Sequence, residues 1–260
     1  MLAQQRYTLI LNLLAQNGIV HTADLVSRLN VSSETIRKDL DYLGREGRLT
    51  RVHGGAVPIT VSEPSTHKQP EYSSLQLRNT QHMEQKAAIT RYAVSLVREN
   101  QVVALDYGST SYMMAQALKE SFDQLTIVTN SIQNALLLGD SPNFTVILTG
   151  GILNNKEYTL VDTVSPLLNQ LHIDTFFMTV SGIDPKVGCT DLGFSEANMQ
   201  NWMRNASSHT IVLADSSKFG KASLVKVCAI DDVDLIVTDA GLSDEMREKF
   251  SSTGANLKLI

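Results

Sequence analysis

Five short segments hold the residues best suited to gripping a small anion. They are Leu105-Asp106-Tyr107-Gly108-Ser109-Thr110, Thr129-Asn130-Ser131, Thr149-Gly150-Gly151, Ser181-Gly182-Ile183-Asp184 and Asp215-Ser216-Ser217-Lys218-Phe219-Gly220. A glycine followed by hydroxyl residues and then a helix leaves backbone N–H groups free and aims the positive end of the helix dipole at a ligand. The first segment has that form, and Lys218 adds a cation for a phosphate or carboxylate. Glu196 opens another helical stretch and is a candidate acceptor for a sugar hydroxyl, although the helix dipole alone favours an acid there. Tight turns use the same residue types. Recurrence at five successive places is what points to one crevice and a small phosphorylated ligand.

A second chemistry is carried by Val31–Leu40, where Arg37 and Lys38 stand side by side. Ser32 is placed to cap a helix, with Glu34 in its first turn. Ile36, Leu40 and Leu43 repeat at helical spacing and predict a buried seam. Thr35, Lys38, Asp41 and Arg45 lie away from that seam, which makes the outer face polar and partly basic, as a DNA-reading helix requires.

The elements around that helix fit the same purpose. Gln4–Gln16 reads as a first helix with Tyr7, Ile10, Leu11 and Leu14 inward, ended by Asn17-Gly18. Ile19-Val20 reads as a connector, Thr22 as the cap of a second helix, and Asn30 as its end. Helices two and three are then only a few residues apart, the spacing of a helix-turn-helix. Gly47 is the expected stop of helix three. Leu49 to Val57 reads as two short strands around His53-Gly54-Gly55, a wing from which Arg51, His53 and the bare backbone at Gly54 can meet phosphate.

Pro58, Pro64 and Pro70 predict an extended linker over 58–72. The expected organisation is a winged head at 1–57 and a body at 73–260, opening on a helix from about Gln81. The body alternates strand-like runs with helix-like ones, which predicts an α/β, mostly parallel sheet flanked by helices. The strands are expected at Val102–Leu105, Leu125–Val128, Phe144–Leu148, Thr175–Val180, Thr210–Leu213, Val225–Ile230, Leu235–Val237 and Leu257–Ile260. The helices are expected at Ser111–Leu118, Ile132–Leu138, Val164–Leu171, Glu196–Asn205 and Asp244–Phe250. In such sheets, ligands sit beyond the carboxyl ends of the strands, where the five polar segments fall.

Composition narrows the function classes. The chain has 260 residues, 43% hydrophobic and 19% charged, which is ordinary for a soluble protein. The net charge is −5, yet residues 1–60 carry an excess of two positive charges, which permits DNA binding by the head and discourages it elsewhere. Cys189 and Cys228 belong to no CxxC pair, so neither a disulfide framework nor a zinc site is expected, and both read as core residues. The start lacks a signal-peptide layout, no apolar run is long enough to span a membrane, and the expected location is the cytoplasm. Neither GxxxxGK[ST] nor GxGxxG occurs, which argues against a nucleotide switch. No cofactor is expected.

Val31-Ser32, Thr35-Ile36-Arg37-Lys38-Asp39-Leu40, Leu43, Gly47 and Arg51-Val52-His53-Gly54-Gly55-Ala56 resemble the winged helix-turn-helix head of the DeoR family of bacterial transcriptional regulators. The family usually has two arginines where this chain has Arg37 and Lys38, so one bidentate fork is lost here. The body resembles the family's effector domain, similar in fold to ribose-5-phosphate isomerase, through the five polar segments. The resemblance implies a repressor of a carbohydrate operon, no enzyme activity, and a phosphorylated sugar as effector. It also implies a homo-oligomer, dimer or tetramer, on a double-stranded operator, and that Ser33, Thr35, Arg37 and Lys38 face the groove. The family often has glycine near Val161-Asp162; Asp162 would repel a phosphate or bind a hydroxyl if it faced the pocket. The competing reading is a sugar-phosphate isomerase or deaminase with an appended head. Asp106, Asp184 and Asp215 offer carboxylates for it, but no paired acid is identifiable.

Overall fold

A computed structural model describes residues 3–17, 20–52, 54–57, 75–162 and 170–260. The chain divides into two compact units, Met1–Thr66 and His67–Ile260. The expected linker at 58–72 lies outside the described residues, as does all but the end of the expected helix at Val164–Leu171.

The first unit contains α1 (Ala3–Asn17), β1 (Val20–His21), α2 (Thr22–Leu29), α3 (Ser33–Arg45), β2 (Thr50–Val52) and β3 (Gly55–Val57). Ile10, Leu14, Leu25, Ile36, Leu40, Leu43 and Leu49 form its core. Both ends of α3 are set by local chemistry. Ser32 Oγ accepts from the Thr35 N–H at 3.2 Å. At the other end Gly47 takes φ +65°, and the N–H groups of Gly47 and Arg48 donate to the carbonyls of Gly44 and Leu43. Asn30 closes α2 in the left-handed conformation, φ 50°.

Two expectations change here. Thr22 does not cap α2: His21 holds the cap position without a side-chain bond, and the Thr22 N–H donates to the Gly54 carbonyl. Val20 is no mere connector but part of β1, which pairs with β3 to give the strand order β1-β3-β2. Gly55 is required by that pairing, because a Cβ there would collide with the Val20 carbonyl.

The second unit begins, among the described residues, with the short helix α4 (Leu75–Arg78). It is built on seven parallel strands: β4 (Val102–Leu105), β5 (Thr126–Thr129), β6 (Thr145–Leu148), β9 (Ile173–Thr179), β12 (Ser207–Leu213), β14 (Leu235–Thr238) and β15 (Leu257–Leu259). Their order across the sheet is β15-β14-β12-β9-β4-β5-β6. Alternate side chains feed two cores, as strand geometry demands. On one face Val103, Leu105 and Phe177 meet α5 (Met83–Val94), α6 (Ser109–Ser121) and α7 (Ile132–Leu138). On the other, Ala104, Phe176 and Met178 meet α8 (Phe194–Asn205) and α9 (Asp244–Ser251). Among the described residues no helix is long and apolar enough to cross a membrane.

Val225–Ile230 reads in sequence like another strand of this sheet, but β13 (Val225–Cys228) lies elsewhere. It closes a small antiparallel sheet with β10 (Gly182–Asp184) and β11 (Gly188–Asp191). Cys189 and Cys228 face each other in that ladder, both buried. A further hairpin, β7 (Ile152–Asn154) and β8 (Thr159–Val161), follows Gly150-Gly151, whose φ angles are +73° and +120°. Only glycine takes both conformations without strain, so this pair turns the chain out of β6 and into the hairpin.

Candidate functional site

In the first unit, Ser33, Arg37 and Lys38 are exposed along one side of α3, and neither cation makes an ion pair or hydrogen bond among the described residues. The buried side is pinned by Asp39, which accepts two hydrogen bonds from Arg6, at 2.6 and 2.9 Å. This bidentate pair fixes α3 against α1. Thr35 is less free than expected: its hydroxyl lies 2.8 Å from that of Ser32 and belongs to the cap. Arg51 is also engaged, 3.0 Å from Asp41 and donating to the Gly55 carbonyl. Gly54 takes φ +81° at the wing tip, and His53 lies outside the described residues.

In the second unit the five polar segments do follow the ends of β4, β5, β6, β9 and β12. From β12 to β6 is four strand spacings, about 19 Å at ~4.8 Å each. One small ligand does not span that row. The segments therefore divide into floor, flap and binding groups.

Asp106 belongs to the floor. It is buried and accepts from the Thr179 N–H at 2.7 Å, the Thr179 hydroxyl at 3.0 Å and the Gln200 side-chain amide at 3.1 Å. Burial pushes its carboxyl up to about 8, against the pull of those hydrogen bonds. It braces β4 to β9 and α8. Asn130 and Ser131 are likewise internal: Asn130 donates to Thr159 at 2.7 Å, and Ser131 caps α7 by accepting from the Asn134 N–H. Gly182 packs against the Lys221 backbone, with no room for a Cβ.

The hairpin is the flap. Its Asn154 donates to Glu196 at 2.7 Å, so Glu196 ties α8 to the hairpin. Ile132 N donates to the Tyr158 carbonyl, and Leu160 N to that of Asn130. Asp162 is exposed, adopts φ 52°, and accepts from the Ser195 hydroxyl at 2.9 Å. The left-handed backbone accounts for a glycine preference at this place, and Asp tolerates it better than most residues.

What remains gathers near the head of α6. Gly108 caps α6 at φ +99°, with no side chain closing the cap, so the first N–H groups of α6, from Ser109 and Thr110 onward, lack the partner that Ser32 supplies to α3. Three cations surround this helix head. Lys86 is buried and donates to Ser109 Oγ at 2.9 Å, to the Gln81 carbonyl at 2.8 Å and to the Arg78 carbonyl at 2.5 Å. Burial lowers its ammonium to about 8, with Lys218 and Arg78 pushing the same way and Asp215 opposing. The Arg78 guanidinium lies beside Gly108, with Nη1 3.6 Å from the place of a Cβ there. Lys218 is half-buried and unpaired among the described residues; burial lowers its ammonium too, and Asp215 offsets part of that. Asp215 is buried beneath them, with Oδ1 taken by Ser217 and no partner on Oδ2 among the described residues.

Residues 81–240 match the model of the DeoR C-terminal sensor domain, and residues 6–61 that of the DeoR-like helix-turn-helix domain. The chain belongs to the DeoR family of transcriptional regulators. Its relatives include the regulator GolR of Listeria innocua, 32% identical over 98% of both chains. The L-fucose operon activator of Haemophilus influenzae is 33% identical over 94% of both. The glycerol-3-phosphate regulon repressor of Escherichia coli is 30% identical over 91% of this chain and 90% of its own. Among solved structures, a D-ribose-5-phosphate isomerase in complex with phospho-erythronic acid aligns at a TM-score of 0.41 and 19% identity, covering 52% of this chain and 53% of that one.

Sequence reasoning missed Arg78 and Lys86 in this DeoR-family sensor unit. Lys86 had a signal: with Ile89, Thr90 and Ala93 it lies on the buried stripe of α5, where an unexplained lysine is costly. Arg78 had none, being at the end of a stretch read as mostly linker.

Proposed function

We propose that this regulator represses a carbohydrate-utilisation operon and that a phosphorylated sugar or related catabolite, bound at the head of α6, controls its grip on DNA. The reading rests above all on one observation. An uncapped helix N-terminus has Lys86 bonded at Ser109, Arg78 beside Gly108 and the charge of Lys218 close enough to act on both, in the unit whose residues 81–240 match a sensor domain. The donors of Arg78 and Lys218, the free N–H groups and the charge of Lys86, whose three protons are already bonded, suit a dianionic phosphate. Asp215 Oδ2, buried without a partner among the described residues, is left to accept from a ligand hydroxyl. The names of the relatives, which include regulators of fucose and glycerol-3-phosphate operons, support the ligand class.

The mechanism needs no bond chemistry. A homo-oligomer presents paired copies of α3 to the half-sites of an operator, where Arg37, Lys38 and Ser33 meet the major groove. The effector binds the DNA-incompetent arrangement more tightly. Moving the population from 1:99 to 99:1 takes a differential of roughly 5.5 kcal/mol. Two of the three carboxylates that an isomerase could use have structural bonds: Asp106 braces two strands, and Asp184 accepts the Lys186 and Val187 N–H groups at 2.8 and 2.9 Å.

A thermal-shift screen against phosphorylated sugars tests the proposal. A true effector at a hundred times its Kd stabilises the fold by about 2.7 kcal/mol, and it should also release a labelled operator. Turnover of any such sugar by the purified protein would instead establish an enzyme.

A further inference from the structure

The Arg78 guanidinium has two claims on it. One is the carboxylate of Glu157, at the tip of the β7–β8 hairpin, with which Arg78 Nη2 is paired. The other is the head of α6, beside which Nη1 lies. Glu157 is only 6% exposed, so the pair is shielded from water and from salt. The guanidinium is used along one edge: its Nε is buried with no partner among the described residues. Lys86 fixes the arrangement, since the same ammonium holds the Arg78 carbonyl and the Ser109 hydroxyl. Arg78 therefore cannot drift from the helix head, whereas Glu157 arrives there on a hairpin.

We propose that Arg78 is an anion ligand held in reserve by Glu157: a phosphate bound at the head of α6 takes the guanidinium over, and the hairpin tip is released. This rests on the anion-site reading given above. The exchange is favourable because a phosphate brings up to two charges into the field of Lys86 and three acceptor oxygens into reach of Lys218 and the free N–H groups, where Glu157 brings one charge to Arg78. Glu157 then acts as a built-in competitor. It raises the phosphate concentration at which the sensor responds and couples occupancy to the bonds that hold the tip, Ile132 N to the Tyr158 carbonyl and Leu160 N to the Asn130 carbonyl.

The test uses the full-length protein titrated with inorganic phosphate by calorimetry at constant ionic strength. Glu157→Gln keeps the shape and removes the charge; it should bind phosphate about tenfold more tightly, the scale of one partly buried charge pair. Arg78→Gln should bind about tenfold more weakly than wild type. Backbone amide exchange gives a second readout. Phosphate should speed exchange at Leu160 in the wild type, and Glu157→Gln should exchange fast there without phosphate. Unchanged or weaker binding by Glu157→Gln, or slower Leu160 exchange on adding phosphate to wild type, overturns the proposal while leaving the site intact. Wild-type protein that binds no phosphate overturns the site and the proposal together.

Discussion

The two units of this chain handle positive charge in opposite ways. Arg37 and Lys38 stand exposed on α3, without ion pairs among the described residues. Lys86 is buried with three hydrogen bonds, and its ammonium is drawn down to about 8 by the loss of water. Exposed cations keep their hydration until contact and act over about 8–10 Å in physiological salt. That suits a polyanion, where many weak contacts add and counterions are released. Buried cations have already lost their water during folding, so a small anion meets donors fixed in place and needs few of them. On the proposed function, one charge type serves as grip in one unit and as recognition in the other, and burial decides which.

Four measurements would break or sharpen this contrast. Replacing Arg37 and Lys38 with Ala should weaken operator binding about thirtyfold or more, since each contact of this kind is worth about 1–3 kcal/mol. Phosphate binding by the same variant should be untouched; normal footprinting would remove α3 from the groove. Salt comes next. Operator affinity should fall by about 0.9 log units per tenfold salt for every phosphate neutralised, and phosphate binding in the sensor unit should fall far less. Equal slopes would erase the distinction. Third, Lys218→Ala should weaken phosphate binding about tenfold, the scale of one partly shielded pair, and leave DNA binding intact.

The smallest effect concerns pH, with sulfate as a probe of constant charge. Lys86 is protonated below about 8, so sulfate affinity should be highest there and drop a few-fold as pH rises through that value. Stability moves the other way. The folded state holds this ammonium at about 8 against its ordinary 10.5, so the unfolded chain binds more protons between those values. The Lys86 contribution to stability therefore rises with pH across that window. A flat sulfate profile would remove Lys86 from the site.

Much of the fold is legible in the residues themselves. Ser32, Asn30 and Gly47 announce the ends of two helices because cap chemistry is local, and all three behave as expected. The parallel strands are legible because each is a short apolar run between turn signals. What the residues hide is non-local. β1 has two residues and exists only because β3 pairs with it. Val225–Ile230 looks like a sheet strand, and nothing in a short apolar run says which sheet. Asp106 looks like a ligand contact because its polar turn is in the right place. Only the packing of Thr179 and Gln200 around it shows a brace. Arg78 and Lys86 reach the site from a helix pair that precedes the whole sheet in sequence, which no motif at the strand ends could reveal.

The brace at Asp106 also has a consequence for how such a sensor can change its mind. A carboxylate bolted to the middle of the sheet cannot be exchanged without loosening β4 from β9, so the floor is closed to tinkering. The rim is not: Glu157, Asp162, Glu196 and Lys218 sit on a hairpin, a helix start and a loop that the strands do not depend on. If the proposed effector site holds, retargeting it to another ligand is a matter of rewriting a few rim side chains over an unaltered base.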